Sequence, residues 1–277
     1  MPEKPLTTPT RPPMIVIVGP TASGKSVAAM HLARRFSLEI VNADSRAFYR
    51  GMDIGTAKPS RQDRDRVVHH LIDILDPAEP MSLATFQDMT VRAIAAIHGR
   101  HHLPVLVGGT PQYVNAVVEN WAIPRVPPDH EFRSMLEREL ELDGVAPLLE
   151  RLRAVDPLAA DRIGPNGRRI IRALEVFNAT GSPITALQGV RPSPYDALEI
   201  ELFLERDRLY ERIDRRVDAM IATGLIDEVR ALLASGVPAN APALSAIGYR
   251  QLLPVVRGEL SPDDAIERIK FDTHHLV

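Results

Sequence analysis

The 277-residue chain has no cysteine, which excludes disulfide staples, thiolate zinc sites, iron–sulfur clusters and a cysteine nucleophile. It also lacks any apolar run near the roughly 18 to 20 residues that cross a bilayer, and Met1 to Pro13 lacks the apolar centre of a signal peptide. A cytoplasmic protein that makes no membrane contact is expected. Lysine is scarce: only Lys4, Lys25, Lys58 and Lys270 occur, so arginine supplies the rest of the 33 basic residues. Arginine suits planar, bidentate recognition of phosphate, although a GC-rich genome gives the same bias. There is no basic excess. A net charge of −3 excludes coating of nucleic acid by bulk electrostatics, so a nucleic-acid partner would have to meet a local patch. What the chain does have is 45% hydrophobic residues, enough for one large domain or one carrying an insertion.

Residues 1 to 13 hold five prolines and almost no apolar side chain, so a disordered tail is expected there. Order should begin at Met14-Ile15-Val16-Ile17-Val18, a wholly apolar, β-branched run of the kind buried on both faces of a parallel sheet. Leu38 to Val41 and Leu103 to Val107 read the same way. Between them, 25–35 and 82–98 carry helical periodicity, the second through Phe86, Met89, Ala93, Ile94 and Ile97 behind a Ser82 cap. Strands alternating with helices predict an α/β fold with a mainly parallel sheet. From about Arg125 the texture changes to charged helices over 131–142, 147–155 and 168–179, the last closed by Gly181, and a strand signal returns only at 198–204. The economical reading is an all-helical insertion over 125–195 within a discontinuous core formed by 14–124 and 196–277. Further helices are expected over 207–223, closed by Gly224, over 226–235, closed by Gly236, and from Ser261, with Asp264 in the capping-box position.

Gly19-Pro20-Thr21-Ala22-Ser23-Gly24-Lys25-Ser26 matches G-x-x-x-x-G-K-[ST] directly after a predicted buried strand and at the start of a helix. Glycines let the backbone fold around an anion, the N–H groups and helix N-terminus supply positive potential, Lys25 adds a point charge, and the Ser26 hydroxyl can hold Mg²⁺. Such a P-loop recognises a diphosphate, whatever molecule carries it. The strand at 103–107 runs into Gly108-Gly109-Thr110, without the Asp that nucleotide hydrolases use to hold Mg²⁺, which argues against a motor or switch ATPase. The strand at 38–41 runs into Asn42-Ala43-Asp44-Ser45, placing a carboxylate at the sheet edge where ligands of open α/β folds bind. If that strand lies near the first, Asp44 faces the phosphate site. There it is either a general base for an acceptor attacking beside the diphosphate or the cap of a turn.

These residues resemble a known family, the tRNA dimethylallyltransferases, also called tRNA isopentenyltransferases. The resemblance rests on Gly19 to Ser26, Asn42-Ala-Asp-Ser45, Tyr49-Arg-Gly-Met-Asp-Ile-Gly-Thr-Ala-Lys-Pro59, Val107-Gly-Gly-Thr110 with Tyr113, Arg169-Ile-Ile-Arg-Ala-Leu-Glu-Val176 and Ile247-Gly-Tyr-Arg250, in family order. It implies a P-loop NTPase-like core with a helical insertion that contacts tRNA, and Gly19 to Ser26 holding dimethylallyl diphosphate in place of ATP. The five-carbon group would pass to the exocyclic amine of the adenosine 3′ of the anticodon, with release of pyrophosphate. Asp44 is then implied as the base, while Lys25, the loop N–H groups and Mg²⁺ on Ser26 neutralise the leaving diphosphate. By the same resemblance Thr21 and Thr110 supply hydroxyls around diphosphate and adenine, and Arg216 clamps the diphosphate. By position alone Arg216, sharing a polar face with Arg212 opposite Ile213, Val217, Met220 and Ile221, reads as a solvated surface arginine. Implied tRNA contacts are Asp44, Ser45, Arg46, Ala47, Thr110, Arg133, Arg168, Arg169, Ile170, Ile171, Arg172, Ser245, Gly248, Tyr249 and Arg250. Arg168 and Arg172, one turn apart, would project together toward phosphates. The target base must leave its stack to react. The implied partners are dimethylallyl diphosphate and the tRNA anticodon stem-loop, and a monomer is expected.

Three departures from the family pattern stand out. Ala47 takes a place where many relatives have Gln, Pro111-Gln112 replaces the commoner Gly-Leu before Tyr113, and the chain stops at Thr273-His274-His275-Leu276-Val277 where relatives continue through a basic, aromatic helix. Histidines cluster at 98, 101 and 102 and pair at 69–70 and 274–275, yet no H-x-x-E-H or H-E-x-x-H pattern occurs and a dedicated metal site is not expected. Trp121 and Phe36 read as core residues or packing at a domain seam. The alternatives are a dimethylallyltransferase acting on free adenylate, against which the insertion argues, a P-loop small-molecule kinase, and a truncated protein that binds tRNA without turnover.

Overall fold

The computed structural model describes residues 11–277. Of the tail expected over 1–13, residues 1–10 lie outside the described residues, and Pro13 already opens the first strand. The chain falls into two compact units, one taking in the chain up to Val118 together with Pro194–Val277, the other Glu119–Ser193.

The first unit is built on a sheet of β1 (Pro13–Val18), β2 (Leu38–Asn42), β3 (His69–His70), β4 (Leu103–Val107) and β5 (Asp196–Glu201), in the order β3-β2-β4-β1-β5. Every pairing is parallel, with Ile15 opposite both Val105 and Leu198, and Ile40 opposite Val105 from the other side. The α/β fold with a parallel sheet is therefore borne out. One detail differs: β4 lies between β1 and β2, so the strand carrying Asp44 at its end is not a neighbour of the strand feeding the phosphate loop.

Both faces of the sheet are covered at its three central strands, β2, β4 and β1, which is why these read as nearly continuous apolar runs, whereas the edge strand β5 is largely exposed. Helix Leu83–Gly99, with Ser82 Oγ accepting from the Thr85 N–H, sets Phe86, Ile94 and Ile97 against Met14, Val16, Val41 and Leu106. On the other face Ala29 of helix Lys25–Leu32 packs with Ile17, Ile40, Val105 and Val107. Helices Arg206–Ala222, Leu225–Ala234, Tyr249–Val256 and Pro262–His274 share a further core around Leu209, Ile213, Leu225 and Leu252. The expected strand at 198–204 ends at Glu201, and Phe203 beyond it is exposed. Phe36, expected in a core or seam, is 52% exposed because helix Lys25–Leu32 ends early in turns closed by Arg35 and Phe36 N–H groups on Leu32 O.

The second unit carries helices His130–Asp143, Val145–Val155, Pro157–Ile163, Gly167–Thr180 and Ile184–Leu187 around its own core of Leu136, Leu148, Leu152, Ile170 and Leu174. It is not wholly helical. Trp121-Ala122 pairs antiparallel with Gly189-Val190, closing the unit on its own ladder outside the expected start at 125. Trp121 is half-buried and its indole N–H donates to the Glu119 carboxylate at 2.7 Å. Among the described residues no helix is long and apolar enough to cross a membrane.

One buried charge sits inside the sheet. Glu39 of β2 is 2% exposed, and its carboxylate meets Arg100 Nε and Nη2 at 2.8 and 2.7 Å, His70 Nε2 at 2.6 Å and His102 Nδ1 at 2.9 Å. Two of the clustered histidines thus serve a carboxylate. The Arg100 hydrogen bond, working against burial and helped by the two imidazoles, pulls the Glu39 pKa from 4.5 down to about 2. A carboxylate held lower in the folded chain than in the unfolded one stabilises fully above the unfolded value, and that contribution is lost as pH falls through the folded value. Glu39→Gln is expected to cost about 1–3 kcal/mol at neutral pH in chemical denaturation, and the gap to the parent protein should close as pH falls from 4.5 toward 2.

Candidate active site

The phosphate loop folds as its glycines require. Gly19, Ala22 and Gly24 have φ of +142°, +60° and +103°. A Cβ at Gly19 would lie 2.6 Å from Leu202 O, so no other residue fits against that backbone. Lys25 Nζ donates to Gly19 O at 2.9 Å and Pro20 O at 2.7 Å, closing the loop on its own lysine. Beneath it the Ser23 hydroxyl is buried without a hydrogen-bond partner, an orphaned polar group in a cradle of backbone amides.

Asp44 reaches this loop although β4 intervenes. At the end of β4, Gly108 lies so close to the end of β2 that a Cβ there would be 2.4 Å from Ala43 O. The buried Asn42 side chain fixes the turn, donating to Asp44 O at 3.0 Å and Leu71 O at 2.9 Å and accepting from the Asp44 N–H at 3.0 Å. Asp44 Oδ1 accepts from the Arg46 N–H at 2.9 Å. The capping role weighed for Asp44 is therefore real, and it occupies one carboxylate oxygen.

Arg216, of helix Arg206–Ala222, is no surface arginine. Its Nη1 donates to Thr21 Oγ1 at 3.4 Å, and Arg212 Nη1 reaches Ser23 O at the same distance. Burial lowers the pKa of Lys25; Asp44 opposes that shift and Arg216 adds to it. Burial lowers Arg216 as well, again against Asp44. Two desolvated cations and one carboxylate thus share a small volume, and a multivalent anion is what that charge balance favours.

A cavity of about 1040 Å³ gathers Gly19, Pro20, Thr21, Lys25, Asp44, Ser45, Arg46, Thr110, Arg216, Ser245, Gly248 and Arg250 on its walls. Ala22, Gly24, Ser26 and Ala47 line an adjoining one of about 300 Å³, which also touches Thr21, Lys25, Asp44 and Arg216. Thr110 O accepts from the Tyr113 and Val114 N–H groups at the start of helix Pro111–Val118, and the Pro111 departure occupies that helix's first position, where a missing N–H costs nothing. Arg46 Nη1 donates to Pro242 O and Ser245 Oγ, both at 3.3 Å, joining the Asp44 turn to the segment that carries Ser245.

Several expected RNA contacts are placed elsewhere. The Tyr249 side chain is buried in the helical core with its hydroxyl on Glu228, and it does not line the cavity. Ile170 and Ile171 belong to the core of the second unit, since the apolar face of their helix packs inward. Arg133 Nη2 and Arg172 Nη1 both donate to the buried Glu175 carboxylate, at 2.8 and 2.6 Å, and Arg172 Nη2 also donates to Val126 O at 2.9 Å. The Arg172 guanidinium is thereby engaged within its own unit, and only Arg168 and Arg169 of the 168–172 stretch are exposed. Conversely, Gly55 and Thr56 line the main cavity. They lie in the Tyr49 to Pro59 block, but no spacing rule singles them out. The Lys58 side chain in the same block is 1% exposed, with Nζ donating to Tyr49 O, Asp53 Oδ1 and Asp73 Oδ1, so its charge pins the loop.

Residues 47–277 match the sequence profile of the family described as IPP transferase. The chain belongs to the IPP transferase family. Among similar relatives, a tRNA dimethylallyltransferase of Thermomicrobium roseum is 51% identical over 96% of this chain and 82% of its own length. One of Roseiflexus castenholzii is 53% identical over 95% of this chain and 86% of its own. Similar solved structures include the tRNA isopentenylpyrophosphate transferase of Bacillus halodurans, with a TM-score of 0.69 and 42% identity over 95% of this chain and 83% of that one. A eukaryotic dimethylallyltransferase acting on tRNA superposes with a TM-score of 0.80 at 27% identity, over 96% of this chain and 68% of that one. In this IPP transferase the approach of β4 to β2 is what sets Asp44 in place, and it can be tested directly. Gly108→Ala should destabilise by about 1–3 kcal/mol or more in urea denaturation through overpacking against backbone. Gly109→Ala, whose Cβ would come no nearer than 3.4 Å to Lys25 Nζ and 3.7 Å to Gly19 O, should stay within about 1 kcal/mol of the parent.

Proposed function

We propose that this transferase moves a dimethylallyl group from dimethylallyl diphosphate to the exocyclic amine of the adenosine 3′ of the anticodon in tRNA. The observation that carries the reading is the cavity that Gly19, Pro20, Thr21 and Lys25 of the phosphate loop share with Arg216 and Asp44. Its charges suit a diphosphate leaving group beside a proton acceptor, and the names of the relatives agree.

In the mechanism, the loop amides, Lys25 and Arg216 hold the diphosphate. Lys25 then exchanges its bonds to Gly19 O and Pro20 O for phosphate oxygens. Attack by the amine forms the N–C bond to the allylic carbon as the C–O bond to diphosphate breaks, and pyrophosphate departs with the bonding pair. Asp44, anchored through Oδ1, offers Oδ2 to the amine proton. The exposed Ser26 hydroxyl on the smaller cavity, beside the Asp44 carboxylate, is oxygen chemistry that fits Mg²⁺. When bound, Mg²⁺ would add positive charge at the leaving group.

The acceptor is the anticodon stem-loop, its adenosine extruded into the larger cavity, which is roomy enough for a base beside a prenyl diphosphate. Arg46, Ser245 and Arg250 stand at that cavity, and the second unit offers the exposed Arg168 and Arg169 as phosphate contacts of its own. The protein works as a cytoplasmic monomer in this reading. Incubation with dimethylallyl diphosphate, Mg²⁺ and an anticodon stem-loop should yield prenylated adenosine and pyrophosphate, with AMP a poor acceptor. Consumption of ATP with phosphorylation of an acceptor would instead indicate a kinase. Asp44→Ala should lower kcat by about 10²-fold or more with RNA affinity nearly unchanged; equal loss of both would make Asp44 structural.

A further inference from the structure

Glu228 stands outside the cavity, near the start of helix Leu225–Ala234, yet its carboxylate collects four donors from two segments that line it. Oε2 accepts the Asp53 and Ile54 N–H groups, both at 2.8 Å, and Oε1 accepts the Gly55 N–H at 3.2 Å and the Tyr249 hydroxyl at 2.6 Å. Asp53 to Gly55 leads straight into Thr56, which lines both cavities beside Thr21, Lys25 and Asp44. Tyr249 closes the segment whose Ser245, Ile247 and Gly248 line the larger cavity from another side. The two segments also touch directly: a Cβ at Gly55 would lie 2.5 Å from the Tyr249 ring. Their separation is therefore set on one side by ring against glycine and on the other by a shared acceptor with both oxygens engaged. Burial, and then the bond to Glu228, push the Tyr249 pKa far up, so the hydroxyl keeps the proton that it donates.

Resting on the reading above, we propose that Glu228 is a positioning residue. It ties the Asp53–Gly55 loop to the Ser245–Tyr249 loop, so that acceptor bound at the second loop fixes Thr56 beside the diphosphate site. Binding energy gained at one is converted into order at the other, which raises kcat and leaves substrate affinity largely alone.

The test uses Glu228→Gln and Tyr249→Phe in the full chain, followed by steady-state kinetics, thermal unfolding and amide hydrogen exchange. An amide at 228 cannot accept from four donors, whereas Tyr249→Phe removes one bond and leaves the three to the Asp53–Gly55 loop intact. Glu228→Gln should lower kcat about tenfold or more, with KM for RNA and for the diphosphate each within about threefold of the parent. Exchange should quicken at 53–55 and also at 245–248, where Glu228 makes no backbone bond. Tyr249→Phe should lower kcat about threefold or more and quicken exchange at 245–248. Glu228→Asp should recover part of the lost kcat. Faster exchange confined to 53–55, or a kcat that falls only as far as the folded fraction does, would overturn the proposal and make Glu228 a local brace. If Glu228→Gln does not fold, Tyr249→Phe decides by the same readouts. Failure of the parent protein to prenylate RNA would sink the functional reading, while the exchange measurements would still judge the joint.

Discussion

The site depends on an electrostatic imbalance built into the fold. Lys25 and Arg216 are both drawn out of water near a single carboxylate, Asp44, and burial weakens the hold of each cation on its proton. Side chains so placed are costly unless an anion completes the set. The remaining features of the first unit serve to make that arrangement possible. Gly19 lets the loop fold flat against Leu202, Gly108 lets β4 press on the end of β2, and Asn42 locks the turn that presents Asp44. Remove the close approaches and the charges separate.

The same economy appears elsewhere, in carboxylates that each organise several donors. Glu39 gathers Arg100, His70 and His102 at the sheet; Glu175 gathers Arg133, Arg172 and the Asp129 N–H in the second unit; Glu228 gathers two loops. In a chain whose cations are nearly all arginine, the buried Glu39 and Glu175 are efficient joints, because one planar guanidinium can meet both carboxylate oxygens. That pattern also explains why several arginines that looked free for phosphate are occupied inside the protein.

Much of the fold was legible in the sequence because its signals are local. Apolar runs at 14–18 and 103–107, the Ser82 and Ser261 caps and the glycine stops at 181, 224 and 236 all declare themselves within a few residues. The phosphate loop was legible for the same reason. What was not legible depends on partners distant in sequence. Arg168 and Arg172 look alike on a helical wheel, and only Glu175 and Val126 O decide that Arg172 is tied up within the protein. Tyr249 stands among the tRNA contacts that the resemblance implies until Gly55 and Glu228 are seen to enclose it. Strand order, too, is invisible locally: nothing near Asp44 announces that β4 stands between its strand and β1.

The fit of Gly19 against Leu202 has a consequence for how the protein is made. β5, which pairs with β1, follows the Glu119–Ser193 unit in the sequence, so the two surfaces that shape the phosphate loop leave the ribosome at widely separated times. The early strands can pair among themselves, but the loop lacks its backing until translation has passed residue 202 and the last strand has docked. Contacts between such distant segments form late and slowly. The anion cradle, first to be synthesised, is thus among the last parts to take shape, and nascent chains interrupted within the insertion carry its motif without its geometry.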